Sequence, residues 1–129
     1  GEQNGTGTFT WKGGAVYEGS WKNNLQNGKG RYTWANGDIY DGEWKDGKMD
    51  GAGIMRQADG VKFKGSFKAG LKEGYGILED SDGIRYEGTF REGQKDGEFV
   101  EKDRNGNLIR KVKYVNGLVE SVSELTSAQ

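Results

Sequence analysis

A chain of 129 residues with 19 basic and 20 acidic side chains has a net charge of −1 and lacks the basic surplus that neutralises many phosphates, so nucleic acid is not an expected partner. The absence of Cys and His removes disulfides, a thiol nucleophile, the commonest general base and the commonest metal ligands, so no cofactor or metal is expected. Gly (24 residues) and charge (30%) at these levels border on the composition of disordered chains, but the 12% aromatic residues argue against disorder through their placement.

The length suits one domain spanning 1–129. No apolar run approaches a membrane span and no charged segment leads into an apolar one at the start. A soluble location, cytoplasmic or peripheral to a membrane, fits, and none is singled out. Residues 4–16 read as the second half of a truncated repeat, because Asn4 to Trp11 lies 23 residues ahead of Asn27 to Trp34. Full repeats follow at 17–39, 40–62, 63–85 and 86–108. Tyr17, Tyr40, Phe63 and Tyr86 open them. Gly19, Gly42, Gly65 and Gly88 come next, then Trp21, Trp44, Phe67 and Phe90, all at a period of 23. Beyond Gly106 the spacing slips at Tyr114 and Asn116-Gly117, and 109–129 are expected to form a divergent C-terminal cap.

Within each repeat, alternation with period two is the strand signature. Two-residue turns of type I′ are expected at Gly13-Gly14, Asn36-Gly37, Asp59-Gly60, Asp82-Gly83 and Asn105-Gly106, with longer glycine-rich connections between them. The outcome is an all-β, elongated, single-layer antiparallel meander of hairpins in a twisted or curved sheet. With Asn36-Gly37 as the loop, Thr33 would pair with Tyr40 and Arg31 with Gly42. One face would then carry the ladder Tyr17, Trp21, Tyr40, Trp44, Phe63, Phe67, Tyr86 and Phe90, joined by Ile54 and Ile77 lying over Gly65 and Gly88. Strands about 4.8 Å apart separate neighbouring repeats by roughly 10 Å, so their aromatics would not touch without filling side chains or strong coiling.

The ladder suggests a groove in which Tyr and Trp anchor a peptide, although a core for a sheet with no second layer explains most of its members as well. On the expected register Phe9, Trp11, Tyr32 and Trp34 fall on the opposite, charged face. An aromatic patch confined to one end there would mark an interface with a partner or a second copy. Lys22, Lys45, Lys68 and Arg91 form a basic column suited to phosphoinositide phosphates. Their spacing equals about one Debye length, and a solvated, salt-laced face explains them equally simply. The Gly-x-Gly pairs at Gly28/Gly30, Gly51/Gly53 and Gly74/Gly76 lack the third Gly and the helix of a phosphate loop. Glu101-x-Asp103-x-Asn105-Gly106 starts like an EF-hand loop but has Val112 where a bidentate Glu belongs. Asp50, Glu73 and Asp96 recur before a Gly, which marks turn chemistry. No catalytic residue is singled out, and no enzyme is expected.

The stretch Tyr40-Asp41-Gly42-Glu43-Trp44-Lys45-Asp46-Gly47-Lys48-Met49-Asp50-Gly51-Ala52-Gly53 closely resembles the MORN repeat, and the likeness runs from about residue 4 to 107. Asn24 stands where Gly47, Gly70 and Gly93 stand in the other repeats, and Phe99 replaces the second Gly of Gly-x-Gly. The tail from Asp103 to Gly117 is more similar to the divergent bacterial MORN-like variant. The resemblance implies a non-catalytic scaffold that binds a protein or peptide or self-associates. Binding of anionic phospholipid is a second implication, and toxin neutralisation a third, drawn from the tail alone.

Overall fold

The computed structural model describes residues 4–124 and contains strands only, in one open antiparallel sheet. Its strands are β1 (Gly5–Thr10), β2 (Val16–Lys22), β3 (Leu25–Thr33), β4 (Ile39–Lys45), β5 (Lys48–Arg56) and β6 (Lys62–Lys68). They continue with β7 (Leu71–Glu79), β8 (Arg85–Arg91), β9 (Gln94–Lys95), β10 (Gly97–Lys102), β11 (Leu108–Val115) and β12 (Leu118–Glu124). Each strand pairs with its neighbours in sequence, except that β8 pairs with both the short β9 and β10.

Two kinds of hairpin alternate, and they occupy each other's expected places. Asn36-Gly37 is not a two-residue turn. The Trp34 amide donates to the Asp38 carbonyl and the Gly37 amide to the Trp34 carbonyl, which leaves a three-residue loop with Gly37 alone at positive φ (98°). The Asn36 carboxamide Oδ1 accepts from the Asp38 amide at 3.0 Å and holds the loop shut. The type I′ turns lie at the other end of the strands, where Asp46 and Gly47 both take positive φ (48° and 84°) between paired Lys45 and Lys48.

The extra loop residue shifts the register by one, and a shift of one turns every side chain of a strand to the other face. Tyr32 therefore pairs with Tyr40 and Gly30 with Gly42. Phe9, Trp11, Tyr32 and Trp34 share the face of the ladder and do not lie on the charged face. Ile54 moves the opposite way, pairing with Asp41 and Lys64, and Ile77 pairs with Lys64 and Glu87. Neither isoleucine covers a glycine.

Rings cover the glycines instead. Tyr17 lies across Gly19 and Gly30, Tyr40 across Gly42 and Gly53, and Phe63 across Gly65 and Gly76. Leaning along the sheet in this way, each ring reaches the next repeat, so neighbouring repeats touch directly with no filling side chain. Tyr17 meets Trp44 at 5.4 Å, Tyr40 meets Phe67 at 5.1 Å and Phe63 meets Phe90 at 5.1 Å, all edge to face. A single layer thus buries its own core: Tyr17, Tyr40, Phe63 and Phe99 are almost completely enclosed. In the fourth repeat Phe99, projecting from β10, fills the place over Gly88, and Tyr86 is left at the side, half-buried.

Candidate protein-interaction site

The buried ladder has little surface to offer, so what a partner could grasp stands beside it. Phe9 and Trp11 of β1 and its following loop, and Tyr32 and Trp34 at the end of β3, form a second aromatic row on the ladder face. Phe9 meets Trp11 at 4.6 Å, Trp11 meets Tyr32 at 5.4 Å, and Tyr32 meets Trp34 at 4.7 Å. Tyr32 also reaches Trp44 at 5.9 Å, which joins the row to the core. Phe9 is 41% exposed, and the other three members of the row are partly so. Further along the sheet the same positions hold Met55 and Gln57, then Leu78 and Asp80, then Glu101 and Asp103, so the aromatic row belongs to the N-terminal half.

Beside the row opens a hollow of about 380 Å³ walled by Trp11, Tyr32, Trp34, Trp44, Gln26, Lys48 and Met49. Gln26, Lys48 and Met49 were not anticipated from sequence. Met49 pairs with Trp44 across the type I′ hairpin, and locating it requires the register shift between Gly42 and Trp44. Lys72 and Lys95 also point to this face, each drawn over a ring. The Lys95 ammonium lies 4.4 Å from the Tyr86 ring centre and 4.9 Å from that of Tyr114. Burial lowers the Lys95 pKa, against the opposing pull of Glu101. Burial raises the phenols of Tyr40 and Tyr86 to about 12, with the hydrogen bond from Tyr86 to Asp80 adding to the second. Both are therefore neutral hydrogen-bond donors at ordinary pH.

The opposite face is polar. Asp41 takes the Arg31 guanidinium at 2.7 Å, and Lys102 approaches Glu87 at 3.1 Å. A broad groove of about 840 Å³ crosses β3 to β6 here, lined by Arg31, Asp41, Glu43, Ile54 and Lys64 among others. By strand alternation, Lys22, Lys45, Lys68 and Arg91 lie on this face at the type I′ tips, exposed. The recurring acids make turns: Asp50 accepts from the Ala69 amide and Glu73 from the Glu92 amide, each tying one repeat to the next. Glu101 is buried against Arg110, and Asp103 closes its own loop through the amides of Asn105 and Asn107.

A sheet of 23-residue hairpins, cored by rings on glycine and flanked by partly exposed aromatics, defines a repeat module. The sequence profile of the MORN repeat matches residues 1–16, 17–39, 40–62, 63–85 and 86–107, and the chain belongs to the MORN repeat family. No curated protein matches the chain. MORN repeats are non-catalytic interaction modules for proteins or membrane lipids.

Proposed function

We propose that this chain is a non-catalytic protein-interaction module that takes a peptide segment of a partner into the aromatic hollow at its N-terminal half. The observation that carries this reading is the second row, Phe9, Trp11, Tyr32 and Trp34, half-exposed beside a core that is otherwise closed. Large aromatics that keep exposed surface next to rigid neighbours lose little entropy when a partner covers them. The buried rings Tyr17, Trp21, Tyr40, Trp44, Phe63, Phe67 and Phe90 act in this reading by holding the row in place. Tyr86 stands outside the hollow.

The test is quantitative capture of partners by the wild type and by the double variant Trp11→Ala/Trp34→Ala, both checked for native circular dichroism. Proteins retained by the wild type at about 0.3 M salt, where screening is tight, and lost by the variant are the expected result. A set of bound proteins unchanged by the variant would sink the assignment. Light scattering on the same pair assigns the row to self-association if a wild-type dimer becomes a monomer.

A second reading, binding to anionic lipid, is favoured by one observation. Leu25, Leu71 and Leu118 are 44%, 50% and 75% exposed at the type I′ tips, interleaved with Lys22, Lys45, Lys68 and Arg91. An edge of aliphatic and basic side chains suits a headgroup layer. Flotation with anionic vesicles, abolished by charge-neutralising the four basic residues and by salt, is its expected signature.

A further inference from the structure

Phe99 breaks the repeat, and the break gathers three rings around a cation. Tyr17, Tyr40 and Phe63 each lie across two glycines in the inner repeats. Phe99 takes that place over Gly88, and the Tyr86 ring left at its side meets the Lys95 ammonium, 4.4 Å from the ring centre. The Tyr114 ring centre stands 4.9 Å from the same nitrogen and that of Phe99 5.8 Å away. Phe99 and Tyr114 meet edge to face at 82°, forming a corner to which Tyr86 adds a third wall. At the equivalent positions Gln26 and Met49 carry no charge, and Lys72 lies over one ring only, Phe63, at 5.3 Å. The Tyr86 hydroxyl donates to Asp80 at 3.1 Å, which holds that ring in place. Glu101 adds a negative charge felt at Lys95, Tyr86 and Tyr114, while Arg110 holds its carboxylate at 2.8 Å.

This seat is poorly matched to the primary ammonium inside it. Lys95 has three N–H donors. Among the described residues, they have the Tyr114 hydroxyl at 3.5 Å as acceptor and no carboxylate at ion-pair distance. Ring faces attract a cation without offering it oxygens, so the cation that loses least on entering is one with methyl groups in place of N–H. Burial also opposes the charge of Lys95, so its release into water returns part of what the rings gave. We infer that Tyr86, Phe99 and Tyr114 form a binding site for a quaternary ammonium group, and that Lys95 is its displaceable stand-in. The methyl groups of the ligand lie against the ring faces, and the Lys95 side chain turns out to solvent. The site is two repeats away from the hollow at Met49 and does not require it.

The probe is tetramethylammonium, titrated into the intact chain and followed by the ring-proton shifts of Tyr86 and Tyr114. Saturable binding is expected, and the same concentration of plain ammonium ion should give no such shift. Lys95→Ser vacates the seat and is expected to tighten binding roughly tenfold. Tyr114→Leu, checked for native circular dichroism, is expected to weaken it roughly tenfold, and Tyr86→Phe, which keeps the ring, to leave it within about twofold. Trp11→Ala/Trp34→Ala should leave it unchanged, which separates this site from the hollow. No saturable binding by Lys95→Ser, an equal response to plain ammonium, or binding that Tyr114→Leu leaves intact would each overturn the inference. Vesicles of phosphatidylcholine tested beside free choline then separate a lipid headgroup from a soluble ligand. Either one bound supports the assignment, and neither bound overturns it.

Discussion

A methyl group at Gly53 would collide with the Tyr40 ring, whereas one at Gly7 meets, among the described residues, nothing nearer than Trp21 Nε1 at 3.9 Å, an ordinary contact. Gly53→Ala is expected to destabilise by about 1–3 kcal/mol and Gly7→Ala by less than about 0.5, read from urea midpoints. The Tyr40 hydroxyl donates to the Glu43 carbonyl at 3.0 Å, but Phe63 fills the equivalent place without a hydroxyl. Tyr40→Phe should therefore cost only about 1 kcal/mol. The same phenol gives a pH dependence. Its pKa is raised to about 12 by burial, against an ordinary value of 10.0. The folded state thus holds the proton longer than the unfolded one, and this contribution is complete below pH 10 and lost as pH rises through 12. Melting temperature followed between those values should fall, and fall less in Tyr40→Phe; an identical decline in both would exclude Tyr40 as the source.

At the level of the hairpin, Ala69 occupies the first place of a type I′ turn with φ of 50°, a conformation awkward for a residue with Cβ and no side-chain hydrogen bond. Ala69→Asn should stabilise by about 1 kcal/mol, measured by thermal melting against the equivalent Asp46→Asn, which should change little. Nothing in the chemistry of Ala69-Gly70 announces that turn, and this explains what the sequence conceals. The 23-residue period, the strands and the ladder are legible because aromatic and glycine columns repeat without ambiguity. Loop type is not legible in the same way. Asn-Gly serves both a two-residue type I′ turn and a three-residue loop ending in Gly, and the two differ in whether Asn36 itself reaches positive φ and whether Ala35 belongs to the strand or the loop. That one loop residue carries Tyr32 and Trp34 from one face to the other, and with them the hollow. The aromatic partners were a usable signal: a three-residue loop puts Tyr32 opposite Tyr40, whereas a two-residue loop puts it on the charged face. The seat over Gly88 was concealed differently, since Phe99 reads as a damaged glycine position until its ring is seen to replace that of Tyr86.

Over the whole sheet, contacts run only between neighbours, so length is adjustable in steps of one repeat. Removing residues 63–85 would bring Phe90 against Tyr40 in place of Phe67, and the Glu92 amide against Asp50 in place of the Ala69 amide. The shortened chain is expected to fold to the same strand signature, with a urea slope reduced roughly in proportion to the surface lost. Loss of cooperative folding would show that the repeats are not interchangeable.

All four tryptophans, Trp11, Trp21, Trp34 and Trp44, fall in the N-terminal half of the chain, while Phe67 and Phe90 continue the ladder beyond them. Indole emission is therefore a spectator of one end only, while backbone dichroism sees every strand. If the array melts from an end, the two signals part company, and the order in which they move names the end that goes first.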